Sequence, residues 1–201
     1  MRMSKPKILV TRRVPQECLD LLKPHFDIDH FNRDIAIERK MLLKRVKDKE
    51  GLLCMLTDAV DAELLAAAPK LAAVSTYSVG FNHIDAAACA ARGVLVTNTP
   101  GVLTESTADF TWALLLATAR RVVEGDRYMR GGKYQGWDPL MLLGTDVSGK
   151  TLGIIGFGRI GQAVAKRADG FSMRVLYYDT HRAAPEVEAA LNASFVAFDD
   201  L

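Results

Sequence analysis

The feature that most constrains this chain is an alternation running through it: short apolar stretches of strand length, separated by segments whose apolar residues recur at the helical period. Residues 7–11 (KILVT), 51–57 (GLLCMLT), 71–77 and 94–98 read as buried strands. Residues 26–31 (FDIDHF) alternate apolar and polar side chains, as a half-buried strand does. Between them lie helical patterns. One is opened by Pro15 and carried by Leu19 and Leu22, an amphipathic one covers 34–47, Asp61 caps a short one, and Gly93 closes one over 84–92. Such alternation forms βαβ units around a parallel sheet, because parallel neighbours need a crossover long enough to hold a helix. A first α/β domain, residues 1–99, is expected to end at the breaker Thr99-Pro100-Gly101.

A long helix is expected next, with Ala108, Trp112, Leu115, Leu116, Ala119, Val122 and Val123 on one broad apolar stripe, packed between two domains. Residues 131–146 show no period, yet hold Tyr134, Trp137, Leu140, Met141, Leu142 and Leu143; a loop this apolar calls for a cover, such as a second subunit. At Thr151 the strand–helix pattern restarts, with strands over 151–156 (TLGIIG) and 174–179 (RVLYYD), a helix between them to Gly170, a helix over 185–191 and a third strand from Ala193. Three strands and two crossovers make about half of a doubly wound dinucleotide domain. Residues 100–201 are thus expected to form an incomplete domain, and the sequence reads as a fragment whose last strands leave an apolar edge unpaired.

Composition narrows the function classes. Twenty-six basic and 24 acidic residues leave a formal charge of +2, spread along the chain, which gives no reason to invoke nucleic acid or a membrane surface. The basic stretch 39–49 is interleaved with Met41, Leu42, Leu43 and Val46 and reads as a solvated helix face. Cys18, Cys54 and Cys89 lie far apart with no metal-ligand spacing, as expected of reduced thiols in a cytoplasmic protein, and no metal site is expected. The longest apolar run, 112–119, falls short of a membrane span.

One motif carries chemistry. Gly156-Phe157-Gly158-Arg159-Ile160-Gly161 follows an apolar strand and opens a helix with Ile160, Val164 and Ala168 on one face, and Asp179 ends the next strand 18 residues beyond Gly161. That is the context a dinucleotide requires. Gly156 permits the tight turn, Gly158 lets backbone approach a pyrophosphate, and Gly161 lets the helix pack close. The helix N-terminus presents free N–H groups to phosphate. Asp179 is placed to accept hydrogen bonds from the adenosine ribose, with Thr180 and His181 beside it. A carboxylate where a 2′-phosphate would sit favours NADH over NADPH, partly offset by Arg182 and His181.

Several segments together resemble the D-2-hydroxyacid dehydrogenase family: NTPGVLTESTAD from Asn98, GKTLGIIGFGRIGQ from Gly149, and YSVGFNHID from Tyr77, which is similar to that family's carboxylate-binding loop. LLLATARR from Leu114, GQAVAKRA from Gly161 and VLYY from Val175 are most similar to its glyoxylate and hydroxypyruvate reductases. The resemblance covers essentially the whole chain. It implies a flavodoxin-like substrate domain followed by a Rossmann-type domain, and reduction of a small 2-keto acid to the D-2-hydroxy acid by hydride from NAD(P)H. It further implies a homodimer joined through the cofactor domain and the 131–146 segment, with Trp137 reaching toward the neighbour's pocket. By the same resemblance Val79 and Gly80 offer backbone N–H groups to the substrate carboxylate, Leu56 borders the substrate, and Thr107 lies near the cofactor. Read without the family, Leu56 is a core residue and Thr107 a cap. The family's catalytic Arg, Glu and His fall beyond Leu201, so no catalytic residue is assigned. His25, His30, His83 and His181 do not match the family's acid, and His83 reads as a hydrogen-bonder in its loop.

Two other readings share these residues: a dinucleotide-sensing protein like the family's transcriptional co-repressors, and an inactive truncated copy. The 201-residue chain alone is expected to lack reductase activity, having no proton donor matched to the task.

Overall fold

In the computed structural model, which describes residues 4–201, the first apolar run becomes β1 (Lys7–Val10), followed by α1 (Gln16–Leu22) and β2 (Asp27–His30). The chain continues through α2 (Arg39–Arg45), β3 (Gly51–Cys54), α3 (Ala62–Ala67), β4 (Ala73–Thr76), α4 (Ala86–Ala91) and β5 (Leu95–Thr97). Every pairing is parallel and the strand order is β2-β1-β3-β4-β5, the flavodoxin-like order. The chain steps one way from β1 to β2 and the other way from β3 onward. Right-handed crossovers therefore place α1 on one sheet face and α2, α3 and α4 on the other. The burial agrees: Ile8, Val10, Val14 and Leu19 form one cluster, while Leu9, Leu42, Leu52, Leu64, Leu65 and Val74 belong to another. At the switch between β1 and β3 the following loops diverge, and ligands bind at such points in open α/β sheets.

This first unit ends at Val102 and a second runs from Leu103 to Leu201. The second begins with α5 (Thr104–Ala119) and α6 (Val122–Arg130), then β6 (Thr151–Ile155), α7 (Arg159–Ala168), β7 (Arg174–Tyr178), α8 (Pro185–Ala190) and β8 (Ala193–Phe195). Its sheet is parallel in the order β6-β7-β8. α5 packs on α7 through Ala108 and Trp112, which share a buried cluster with Val164 and Ala168. The Trp112 indole N–H donates to the Val164 carbonyl at 3.0 Å, and its ring stacks on Phe171 with centroids 4.6 Å apart. Arg167 on α7 ties the pair together by bonding Glu105 and Asp109 on α5. No helix among the described residues is long and apolar enough to cross a membrane.

Two expectations are corrected. The apolar stripe does not continue to Val123: α5 stops at Ala119, Arg121 adopts the left-handed conformation at φ 53°, and Val122 and Val123 are exposed on a separate helix. The returning segment ends α5, since the Thr145 N–H donates to the Ala119 carbonyl at 2.8 Å. α5 itself belongs to the second unit and packs there on α7. The helix expected over 34–47 starts only at Arg39, because Ile37 is anchored in the core and Glu38 is extended, with ψ 139°.

Candidate functional site

In the second unit the geometry is set by the turn between β6 and α7. Gly156 has φ +91°, a conformation L side chains rarely adopt, and its N–H donates to the Tyr178 carbonyl at 2.8 Å. Gly161 answers a steric demand, because a Cβ there would lie 2.1 Å from the Gly156 carbonyl oxygen. A Cβ on Gly158 would meet nothing within 4 Å, so this face of the turn is open. Asp179, just after β7, accepts the Phe157 N–H at 2.6 Å through Oδ2, and through Oδ1 the His181 N–H and the Thr180 hydroxyl, each at 3.2 Å. The Phe157 N–H, followed by these other donors, holds the Asp179 carboxyl below the usual carboxylate range.

The sequence-predicted cofactor residues separate into groups. Gly156, Gly158, Arg159, Ile160 and Gly161 form the turn and first residues of α7, and the N–H groups of Gly158, Arg159 and Ile160 find no protein acceptor among the described residues. Arg159 and Ile160 have exposed side chains, so Ile160 is not on the buried face with Val164 and Ala168. Phe157 points inward, its ring 3.8 Å from that of Tyr177, so its side chain belongs to the core and its N–H to Asp179. Thr180 and His181 are exposed beside Asp179, and the Thr180 hydroxyl lies 3.1 Å from the His181 ring. Thr107 is half-buried on α5, its carbonyl accepting the Thr111 hydroxyl at 2.8 Å.

In the first unit, Leu56 follows β3 with its side chain exposed, which answers the reading of it as core, and Val79 and Gly80 lie in the exposed loop after β4. Both loop carbonyls are tied down: Asn98 Nδ2 donates to the Val79 oxygen at 2.7 Å and the Ser78 hydroxyl to the Gly80 oxygen at 2.8 Å. The Val79 and Gly80 N–H groups have no acceptor among the described residues. Proton accounting orders the chain behind Ser78. Each hydroxyl has one proton, so Thr76 donates to Ser78 at 2.6 Å and His83 Nε2–H donates to Thr76 at 3.1 Å. The other ring nitrogen of His83, Nδ1, is buried and unpartnered. Burial lowers the His83 pKa, with Asp58 opposing.

Sequence reading missed this scaffold and a second one. Asp58, 3% exposed, accepts the Thr11 hydroxyl at 2.5 Å and the Met55 N–H at 2.8 Å, fixing the loop that carries Leu56. Polar residues at the C-terminal ends of apolar strand runs, Thr57-Asp58 and Ser75-Thr76, were the available signal. Burial, with Asp58 nearby, pushes the Cys54 thiol up to about 12 and leaves it inert. No group of three His, Cys, Asp or Glu side chains among the described residues is placed to hold a metal ion.

The chain belongs to the family of D-isomer specific 2-hydroxyacid dehydrogenases, whose catalytic-domain model matches residues 8–199. It is 50% identical over 198 residues to a glyoxylate reductase of Korarchaeum cryptofilum, covering 98% of this chain and 59% of that protein. A crystal structure of a Thermus thermophilus protein, 45% identical, superposes with a TM-score of 0.88 over 96% of this chain and 60% of that one. A D-lactate dehydrogenase of Aquifex aeolicus, solved with NAD and lactic acid, is 27% identical with a TM-score of 0.78, covering 96% of this chain and 56% of its own. The chain therefore spans about three-fifths of the relatives it matches.

The two glycines of the turn should separate on substitution. Gly161→Ala forces its Cβ against backbone and is expected to destabilise the second unit by about 2–4 kcal/mol in denaturant titration. Gly158→Ala, with open space around it, should leave stability within about 0.5 kcal/mol, the usual scale of an exposed change. Equal losses for both would contradict the packing role assigned to Gly161.

Proposed function

We propose that this chain supplies the nucleotide- and carboxylate-binding parts of an NAD-dependent oxidoreductase that reduces glyoxylate or hydroxypyruvate to the D-2-hydroxy acid. The observation that carries the reading is the Gly156–Gly161 turn, with three unengaged N–H groups at the start of a ten-residue helix and an ionised Asp179 fixed beside it. That donor set and open face fit a pyrophosphate. Gly156, Gly158, Arg159, Ile160 and Gly161 would hold the phosphates by backbone, Asp179 the adenosine ribose, and Thr180, His181 and Thr107 would lie alongside. NADH, when bound, supplies the hydride that reduces the keto carbon. The Val79 and Gly80 N–H groups would take the substrate carboxylate, since their neighbouring carbonyls are already turned onto Asn98 and Ser78. Leu56 would border the substrate. None of these groups donates a proton to the carbonyl oxygen, so the 201-residue chain is expected to bind NADH without oxidising it. The cytoplasm, where the buried thiols of Cys54 and Cys89 stay reduced, is the compartment that fits.

The Asp179 charge sets the cofactor preference in this reading. Fluorescence titration of the 201-residue chain should show NADH bound more tightly than NADPH. Asp179→Asn keeps an acceptor for the Phe157 N–H and removes the charge, so it should shift the ratio toward NADPH by about ten-fold, the scale of one charge–charge contact screened by water. Tighter binding of NADPH by the unaltered chain would overturn the preference.

The assembly proposed is a homodimer covering residues 131–146. Trp137 is 81% exposed and Leu140 75%, the kind of apolar surface that marks an interface. Sedimentation of the full-length protein should give a dimer, and Trp137→Ala with Leu140→Ser should weaken it. A monomer at micromolar concentration, or an unaffected double variant, would contradict this interface.

A further inference from the structure

The segment that follows Asp179 is held by a four-residue network outside the glycine turn. Tyr177, at the end of β7 and fully buried, donates its hydroxyl to Glu188 Oε1 at 2.6 Å and accepts the Ala183 N–H at 2.9 Å. Glu188, on α8, also receives Arg182 in a two-point bond, Nε to Oε1 at 2.9 Å and Nη2 to Oε2 at 2.8 Å. The Arg182 guanidinium lies 5.9 Å from the centre of the Phe195 ring. The partners are unequal: the Glu188 side chain is 11% exposed and the Arg182 side chain 64%. Glu188 is thus the fixed member, anchored from the core by Tyr177, whose ring stacks on Phe157 of the glycine turn. Arg182 and then Tyr177 hold the Glu188 carboxyl down to about 2, so it is charged at any working pH.

We propose that Glu188 is a specificity-determining positioning residue: it occupies Arg182 and so withholds this cation from the 2′-phosphate of NADP. The inference rests on the nucleotide reading of the Gly156–Gly161 turn. Asp179 alone repels a 2′-phosphate, but Arg182, three residues on, is of the type that binds phosphate through a planar two-point fork. In this structure that fork is already filled by a carboxylate. An exposed ion pair does little by itself. This one has two-point geometry, a nearly buried anion and a tyrosine fixing that anion, so opening it to engage a phosphate carries a cost that NAD does not meet. Glu188 touches neither nucleotide in this account and acts through Arg182.

Isothermal titration of the 201-residue chain with NAD and with NADP tests this. Glu188→Gln keeps an acceptor for Tyr177 but frees Arg182, and should tighten NADP by about ten-fold, the scale of one charge-assisted hydrogen bond gained, with NAD nearly unchanged. Adding Arg182→Ala to that variant should abolish the gain. Arg182→Ala alone should leave the NADP-to-NAD ratio of the unaltered chain nearly as it was, because the arginine is already engaged. This last variant keeps the Tyr177–Glu188 bond and serves if Glu188→Gln fails to fold. The inference is overturned if NAD binds and Glu188→Gln leaves the ratio unchanged, if the gain survives without Arg182, or if Arg182→Ala alone weakens NADP several-fold. Binding of neither nucleotide by the unaltered chain would overturn the nucleotide reading, and this inference with it.

Discussion

The Asp179 carboxylate takes the Phe157 N–H at 2.6 Å, and the arrangement of the second unit's site depends on that bond. Phe157 is the residue at which the chain must leave β6 and enter α7. Its N–H lies in a half-buried turn where an unpaired donor would be costly. The bond ties the end of β6 to the end of β7, while the Phe157 ring is pinned from the other side by Tyr177. With Gly156 at φ +91° and Gly161 against its carbonyl, the turn is specified by backbone, side chain and steric contact together. What remains uncommitted includes the run of N–H groups of Gly158, Arg159 and Ile160 at the start of α7. A turn ordered before a ligand arrives spares that ligand the entropy of ordering it.

The first unit reaches a similar result with different parts. There the acceptors of a loop are consumed instead of its donors being added to. Asn98 and Ser78 take the carbonyls of Val79 and Gly80, and the relay from His83 through Thr76 sets which way the Ser78 proton points. A loop whose carbonyls are turned onto side chains presents N–H groups, and so favours an anion. Asp58 fixes the loop after β3 in the opposite sense, accepting the Met55 N–H and the Thr11 hydroxyl. Each unit thus carries a donor-rich loop at the C-terminal end of its strands, where open α/β sheets bind ligands.

Periodicity made the elements legible, and the reason is physical: strands buried on both faces and helices packed on one leave unmistakable apolar spacing. The glycine turn was legible because steric demands at Gly156 and Gly161 admit little else. Asp61 was readable as a cap, its Oδ1 accepting the Leu64 N–H at 3.0 Å, because capping is local. What escaped was long-range. Thr11 and Asp58 are 47 residues apart, and nothing near either one announces the other. The end of α5 depends on Thr145 returning to Ala119, so the apolar spacing through Val123 misled. Phe157 stands inside the motif yet faces the core, since a motif records backbone requirements and not which way each side chain turns. The Arg182–Glu188 pair lay within one short segment, but its anchor, Tyr177, is hidden in the fold.

The most direct measurement is an amide proton–nitrogen correlation spectrum of the 201-residue chain, recorded while NADH is added. The account predicts that the N–H signals of Gly158, Arg159 and Ile160 move together and saturate. The Phe157 N–H should stay protected from exchange throughout, because Asp179 holds it with or without nucleotide. Saturating shifts confined to other residues, or a Phe157 N–H that exchanges freely, would contradict the preformed phosphate turn on which the functional reading stands.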